Sequence, residues 1–422
     1  MTTNRFKRGV AAASAAVAML ALAACGGGGA STGASTGANS GKGKIYINLS
    51  YSGNNWQDEG ANLAMAAVQA PEVLKTYDVT KTISGTDVQK QISDLQSMIA
   101  SNAKLIVLYP ISPTALNPVI QQGCTRGVVF VAYDATVEAP CAWNVSYITG
   151  ARADAPEKAF FGAQTAQALV DLLGGKGKIF MNRGVAGTST DTVHYDTAKA
   201  VFDKNPGIKV VSEYYGNWDS SVSQQETAKA LASQPGVNGV WSQAGEDGVI
   251  KALEAAGKKV PVVGENSNYF RKKLAAGWPG VSSGSPPASS AIAVKVGLKI
   301  LADGGAASAT PKDIEVPLPW VTTATAKECP GTEFVNGCNF FKNAPDSFVT
   351  EIFEKNLFPE SSYTAATTGK AVPSLQALPD LTALKQPEQR RVFTRGACDT
   401  GWTKGVVETG QQPAGLKGCV KS

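Results

Sequence analysis

Alternation of strands and helices constrains the fold of this chain more than any other sequence feature. From Lys44 onward, short apolar segments typical of buried strands alternate with longer segments that have helical spacing. We predict strands at 45–49, 105–108, 128–132, 178–181, 209–211, 239–241 and 260–263. Predicted helices cover about 59–70, 92–99, 114–122, 159–173, 192–203, 224–233 and 249–256. Such alternation indicates βαβ units and parallel sheets, whose ligands bind beyond the carboxyl ends of the strands.

The first 24 residues have the features of an export signal. Arg5, Lys7 and Arg8 precede an apolar stretch at 10–24, which is short for a membrane span. Its Leu-Ala-Ala-Cys ending resembles the bacterial lipobox, in which the cysteine, here Cys25, is lipidated; the alternative is an ordinary cleaved signal. The Gly- and Ser-rich stretch 25–43 is typical of a flexible tether. We therefore expect an exported protein that is lipid-anchored to the bacterial cell membrane, in the periplasm or at the outer face.

Six cysteines remain besides Cys25, and an even number in an exported chain indicates three disulfides. Six cysteines allow about 15 connectivities, so spacing does not determine the pairing. We expect nearest neighbours to pair: Cys124 with Cys141, Cys329 with Cys338, and Cys398 with Cys419. A cysteine metal site is disfavoured, because the chain has no Cys-x-x-Cys and His194 is its only histidine. The sequence therefore predicts no metal.

Composition excludes some functions. The chain has 422 residues and is 43% hydrophobic, enough for a sizeable core, with a net charge of +5. No basic run is interleaved with aromatics, so nucleic acid is not an expected partner. Mean hydropathy of −0.08 and a single apolar N-terminal stretch argue against further membrane spans. After Trp320 the alternation stops, and 326–422 is predicted to be a loop-rich, disulfide-stapled extension.

No catalytic motif is recognisable. The first strand is not followed by Gly-x-Gly-x-x-Gly, and no Gly-x-Ser-x-Gly occurs. The glycine- and lysine-rich stretch 174–178 lacks the Gly-Lys-Ser/Thr ending of a P-loop and is typical of a helix end and turn. We therefore predict a protein without a cofactor that is not an enzyme.

Polar and aromatic side chains follow successive predicted strands, where an open α/β sheet binds its ligand. Amides and carboxylates bond hydroxyl groups, and flat tryptophan faces pack on sugar rings. The candidate ligand-binding residues are Tyr51, Asn54, Asn55, Trp56, Asp134, Thr188, His194, Trp218, Gln243 and Asn266.

The order and spacing of 50–56, 99–113, Asp134, 184–189, 217–219 and 263–266 resemble the type I periplasmic binding proteins of the ribose-binding-like group. The resemblance implies two Rossmann-like parallel-sheet lobes joined by a three-crossing hinge. Lobe one would comprise 44–148 and 286–312, and lobe two 149–285 and 313–325. The crossings are expected near 146–151, 284–287 and 311–316.

This resemblance also implies a function: a solute-binding lipoprotein, expected to be monomeric, that delivers a sugar or sugar-like molecule to an ABC permease with its ATPase. Asp134 and Asn266 would hold sugar hydroxyls, and Trp218 would stack on the ring. The chain departs from sugar receptors of the group, because 190–194 lacks their arginines, Ala244-Gly245 replaces Asn-Asp, and Asn266 replaces an aspartate. These changes make the site less polar and favour a deoxysugar, a polyol or a larger, more apolar solute over a plain pentose.

Two other functions remain open. The same fold could present ligand occupancy to a chemoreceptor or kinase, as a sensor. An exported enzyme with a site in the cysteine-containing extension is the third hypothesis, and the absence of a recognisable nucleophile–base pair disfavours it.

Overall fold

A computed structural model describes residues 41–50, 52–147, 161–316, 318–329, 340–342, 344–348, 363–372 and 375. The predicted signal peptide, Cys25, most of the predicted tether, Tyr51 and the extension cysteines Cys338, Cys398 and Cys419 lie outside these residues.

The first of two large sheets is built from six parallel strands in the order β2-β1-β3-β4-β5-β11. They are β1 (Gly43–Leu49), β2 (Tyr77–Ile83), β3 (Ala103–Leu108), β4 (Val129–Tyr133), β5 (Trp143–Ser146) and β11 (Asp313–Glu315). Its helices are α1 (Asn55–Ala67), α2 (Pro71–Thr76), α3 (Val88–Ala100), α4 (Asn117–Thr125) and α10 (Ser289–Ala302), with α11 (Tyr363–Thr368) against α1. This sheet with its helices is lobe one.

The second sheet repeats the same order, as β7-β6-β8-β9-β10-β12. Its strands are β6 (Gly177–Arg183), β7 (Ile208–Tyr215), β8 (Gly239–Ser242), β9 (Val262–Gly264), β10 (Gly280–Ser282) and β12 (Val321–Thr322), the last antiparallel. Its helices are α5 (Phe161–Leu172), α6 (Ser189–Lys204), α7 (Ser220–Ser233), α8 (Glu246–Ala255) and α9 (Asn268–Ala275). This sheet with its helices is lobe two.

The predicted α/β fold class with two parallel-sheet lobes is confirmed. The chain passes between the sheets after β5, after β10 and after β11, which makes three crossings. In each sheet the strand order reverses beside the first strand, between β1 and β3 and between β6 and β8. Ligands of open α/β sheets bind at such reversals, so both lobes present a binding edge.

Lobe one owes its core to α10, which lies against β3 and β4 and packs along α1. Eleven of its fourteen residues are buried, because small side chains let it approach closely. A Cβ on Gly297 would lie 2.6 Å from the Leu105 side chain. This fixed helix supports the strand ends that form the site.

The two sheets contain five strands besides the seven predicted ones: β2, β5, β10, β11 and β12. β2 was not predicted, because this edge strand is half exposed and lacks the apolar run of a buried strand. The predicted lobe boundaries assign residues 313–325 to lobe two, whereas the three residues of β11 pair with Asn144–Ser146 in the sheet of lobe one. Such a short strand carries no signal for which sheet edge it joins.

A disulfide joins Cys124 at the end of α4 to Cys141 in lobe one, as in the expected nearest-neighbour pairing. Cys329 is also in a disulfide, and its expected partner Cys338 lies outside the described residues. β13 (Glu328–Cys329) and β14 (Phe340–Phe341) form a small parallel pair in the extension. None of the described helices has the length and apolarity needed to cross a membrane.

Candidate functional site

A cavity of about 250 Å³ lies where the carboxyl ends of the two sheets face each other. Its volume is near the lower end of small-molecule sites, which is about 300 Å³. Six of the ten predicted ligand-binding residues line it: Asn54, Asn55, Trp56, Asp134, Trp218 and Asn266. The strand-end pattern therefore brings residues from both lobes to one place.

Asn54 connects the two lobes across this cavity. Its side-chain oxygen accepts from the amide of Gln57 at 2.9 Å and so caps α1. Its side-chain amide donates to the backbone oxygen of Trp218 in lobe two at 3.2 Å. A second cross-lobe bond of 3.2 Å joins the hydroxyl groups of Tyr109 and Thr190. The structure thus represents the closed form of the cleft.

Three aromatic rings form the lobe-one side of the site. Trp56 stacks on Tyr133 at a centroid distance of 6.5 Å and meets the edge of Tyr109 at 6.3 Å. The Trp56 indole donates to the backbone oxygen of Ser285 at 2.7 Å. These contacts fix the ring, whose exposed surface lines the cavity. A fixed flat ring can pack on the C–H face of a sugar or polyol.

Trp218 forms the opposing aromatic wall in lobe two, and a layer of polar groups positions it. Its backbone φ of 55° lies in the left-handed region, which is strained for a bulky residue. Its ring lies so close to Gly184 that a Cβ there would be 2.2 Å away. The indole donates to Gln243 at 3.2 Å, Gln243 donates to Asp191 at 2.8 Å, and Arg183 donates to Asp191 at 2.7 Å. The ring is therefore held in one orientation.

Asp134 presents a buried carboxyl group to the cavity from the end of β4. Its φ of 62° turns the chain sharply, and the Ser146 hydroxyl donates to its backbone oxygen. The side-chain atom Oδ1 has no hydrogen-bond partner among the described residues. Burial raises the pKa of Asp134 to about 7, and the nearby Ser285 hydroxyl opposes this shift. Near neutral pH the group can therefore donate or accept a hydrogen bond.

Asn266 faces the cavity from the end of β9, in lobe two. Neither its side-chain oxygen nor its side-chain nitrogen has a hydrogen-bond partner among the described residues, although both atoms are buried. Unpaired buried polar groups are costly, so a ligand that bonds both atoms would be stabilised. One acceptor and one donor group on the same amide match a hydroxyl-bearing solute.

Carboxyl groups dominate the charge of the cavity wall. Its acidic residues are Asp134, Asp219, Glu246, Asp247 and Glu265, and none of the described lining residues is Lys, Arg or His. Burial raises the pKa of Glu246 to about 7 and the pKa of Glu265 well above its usual value; Glu246 and Asp134 add to the shift of Glu265. Glu246 accepts from the Glu265 amide at 2.9 Å. This wall disfavours anionic ligands.

The other predicted residues lie elsewhere. Tyr51 is outside the described residues. Thr188 caps α6 by accepting from the Asp191 amide at 3.2 Å, and Gln243 lies behind Trp218. His194 is buried against Phe161 and hydrogen-bonds Tyr147, and burial lowers its pKa to about 3. None of these three lines the cavity as described.

Several lining residues are not among those predicted from the sequence. Tyr109 follows β3 directly and Glu265 follows β9 directly. Both therefore have the same position after a strand as the predicted ligand-binding residues. Thr190 is hidden in the first turn of α6. Ser347 belongs to the extension, and nothing in the local sequence indicates that it reaches the cavity. Within the described residues, no group of three or more His, Cys, Asp or Glu could hold a metal ion.

Comparisons with known proteins agree with this geometry. A family model described as periplasmic binding protein domain matches residues 45–306. A xylitol-binding protein of Mycolicibacterium smegmatis is 30% identical over 186 residues, 43% of this chain and 51% of that protein. A multiple sugar-binding periplasmic protein of Azospirillum brasilense is 26% identical over 56% of this chain and 61% of its own length. The matches thus span about half to three fifths of these two relatives.

The crystal structure of an ABC transporter solute binding protein from Thermobispora bispora is also similar. It aligns with a TM-score of 0.61 at 25% identity and covers 80% of this chain and 99% of that one. Four fifths of this chain is longer than its first 306 residues, so the similarity extends beyond the family domain.

Proposed function

This chain belongs to the periplasmic binding protein family, and we propose that it captures a small uncharged solute with several hydroxyl groups, a polyol or a sugar, between its lobes. One observation carries most of the proposal. Asp134 from lobe one and Asn266 from lobe two face the same cavity with polar atoms that lack partners among the described residues. Hydroxyl groups satisfy such atoms, and the similarity to a xylitol-binding protein supports this ligand class.

The roles of the individual side chains follow from their positions. Asp134 and Asn266 bond ligand hydroxyls from opposite sides, while Trp56 and Trp218 cover the apolar faces. The lining without Lys, Arg or His selects against sugar phosphates and sugar acids, because it offers no cation to pair with their charge in a site of low dielectric.

Binding is coupled to closure of the cleft. The Asn54–Trp218 and Tyr109–Thr190 bonds join opposite lobes, so they can form only when the lobes approach. A ligand that bonds both lobes favours this closed state by its difference in affinity for the two states. The protein changes no covalent bond in its ligand.

We further propose that the closed protein delivers its solute to an ABC permease and its ATPase. Lipid at Cys25 would hold the protein at the membrane, and the stretch up to residue 43 would give the lobes room to dock. The Leu-Ala-Ala-Cys sequence supports the anchor, and family membership supports the importer. One cavity enclosed by the two lobes of a single chain is consistent with a monomer.

A thermal-shift screen tests the proposed ligand class. Pentitols including xylitol, hexitols, myo-inositol, aldoses and deoxysugars are added to the wild type, to Asn266→Ala and to Asn205→Ala. Asn205 is a matched control, because its amide bonds Val201 in lobe two, away from the cavity. We expect at least one uncharged compound to raise the Tm of the wild type and of Asn205→Ala, with little effect on Asn266→Ala. Stabilisation by anionic sugars alone, or equal stabilisation of all three proteins, would contradict the proposal.

A further inference from the structure

The chain beyond the family domain contacts lobe two. The family match ends at residue 306, and the described residues 340–342 and 344–348 lie against α9. The Asp346 backbone oxygen accepts from the Tyr269 amide at 2.7 Å, and the Asp346 carboxylate pairs with Lys272 at 2.5 Å. The Asn268 side chain donates to the Pro345 oxygen at 3.0 Å. Backbone and side-chain bonds together fix this segment on lobe two.

The same extension also contacts lobe one. α11 packs on α1, with Ala365 and Ala366 buried in the contact. The Asn62 side chain donates to the Ala366 backbone oxygen at 2.8 Å, and the Gln69 side chain donates to the Gly369 backbone oxygen at 2.9 Å. Asn62 belongs to α1 and Gln69 follows it by two residues, so these bonds fix α11 to lobe one.

The two parts of the extension meet each other. The rings of Phe341, in the segment on lobe two, and Tyr363, at the start of α11, lie 6.3 Å apart between centroids. Phe341 is only 1% exposed, so this contact is packed. In addition, Ser347 lines the cavity itself. A continuous series of contacts therefore runs from α9 through the extension to α1, beside the ligand site.

We propose that the extension is a strap that connects the two lobes outside the hinge and stabilises the closed cleft. Both α1 and α9 begin at residues next to the cavity, so opening the cleft moves these helices apart. The strap must then give way at α1, at α9 or at the Phe341–Tyr363 contact. Its bonds oppose opening whatever ligand occupies the cavity, so the inference does not depend on the identity of the solute.

Small-angle X-ray scattering of the ligand-free protein tests the strap. The variant Asn62→Ala/Gln69→Ala removes the two amide bonds described above, one from α1 and one from Gln69 just after it. The matched control Gln167→Ala/Asn205→Ala also removes two amides, whose bonds to Asp171 and Val201 stay within lobe two. Since each bond contributes modestly, we expect the ratio of open to closed molecules to rise about tenfold in the first variant. Its radius of gyration should exceed that of the wild type, while the control matches the wild type.

Circular dichroism and the Tm identify a variant that fails to fold. In that case Tyr363→Ala replaces it, because this change loosens the contact between the two parts of the strap. A folded strap variant with the radius of gyration of the wild type would overturn the inference. So would equal expansion of the strap variant and the control.

Discussion

The side-chain amide of Asn54 donates to the backbone oxygen of Trp218, and this 3.2 Å bond joins the start of α1 in lobe one to a strained residue of lobe two. The same asparagine caps α1 through its side-chain oxygen. One side chain thus serves local structure and cleft closure with different atoms. Substitutions can therefore separate the two roles.

Asn54→Ser should weaken ligand binding with little effect on folding. Serine can still cap α1, while the bond to Trp218 is lost, and a loss of about 1 kcal/mol corresponds to about fivefold weaker affinity. Asn54→Ala should in addition lower the free energy of unfolding by about 1 kcal/mol, since the cap is also lost. Asp87→Ala is the control, because it removes the cap of α3 away from the cavity. Calorimetric titration and urea unfolding measure both quantities, and wild-type affinity in Asn54→Ser would contradict the cross-lobe role.

Gly184→Ala should displace the Trp218 ring. A Cβ at this position would lie 2.2 Å from the indole, so the ring must leave its position against Gln243. Overpacking of this kind costs roughly 1–3 kcal/mol, and we expect about tenfold weaker binding and a changed tryptophan fluorescence response. Gly236→Ala is a matched control, since its Cβ would meet no atom within 4 Å. Equal affinity of the two variants would mean that the position of Trp218 does not matter for binding.

Stability of the ligand-free protein should fall as the pH rises from about 4 to about 7. Burial raises the pKa of Asp134 from 3.8 to about 7, so the folded state holds a proton that the unfolded state releases. Stabilisation by this group is therefore complete below the unfolded pKa and is lost as the pH passes the folded pKa. Asp134→Asn removes this contribution, so its Tm should change less between pH 5 and pH 8 than that of the wild type. In the wild type Asp94 pairs with Lys90 on the surface of α3, so Asp94→Asn should follow the wild type. Parallel curves of Tm against pH for all three proteins would refute the assignment of this pH dependence to Asp134.

Labelled palmitate should enter the wild-type protein during expression in a bacterium and should be absent from Cys25→Ala. Cys25 is the residue at which the Leu-Ala-Ala-Cys motif places the lipid. Cys398→Ala, a cysteine outside this motif, should retain the label. Equal labelling of Cys25→Ala would exclude the lipid anchor.

Most of the fold could be predicted from the sequence because parallel strands buried on both faces read as apolar runs. β3, β4 and β8 follow this rule, whereas β2 is half exposed at the sheet edge and was not recognised. The local sequence pattern therefore predicts both sheets, but it does not predict their exact edges.

The site was predictable only in part. Asp134 and Asn266 were found because they follow strands at the edge where open sheets bind ligands. Thr188 has the same kind of position, yet it caps a helix, since a short hydroxyl side chain bonds its own backbone as readily as a ligand. Ser347 reaches the cavity through contacts of a distant segment, which no local pattern encodes.

The central claim is that the cavity between Asp134 and Asn266 binds a small uncharged hydroxyl-rich solute. Isothermal titration calorimetry of the wild type and of the double variant Asp134→Ala/Asn266→Ala, with the best compound of the thermal-shift screen, tests it most directly. We predict one site per chain in the wild type and at least about thirtyfold weaker binding in the variant, since each lost bond to a buried polar group costs about 1–3 kcal/mol. Unchanged affinity in a folded double variant would contradict the account, because the ligand would then bind elsewhere.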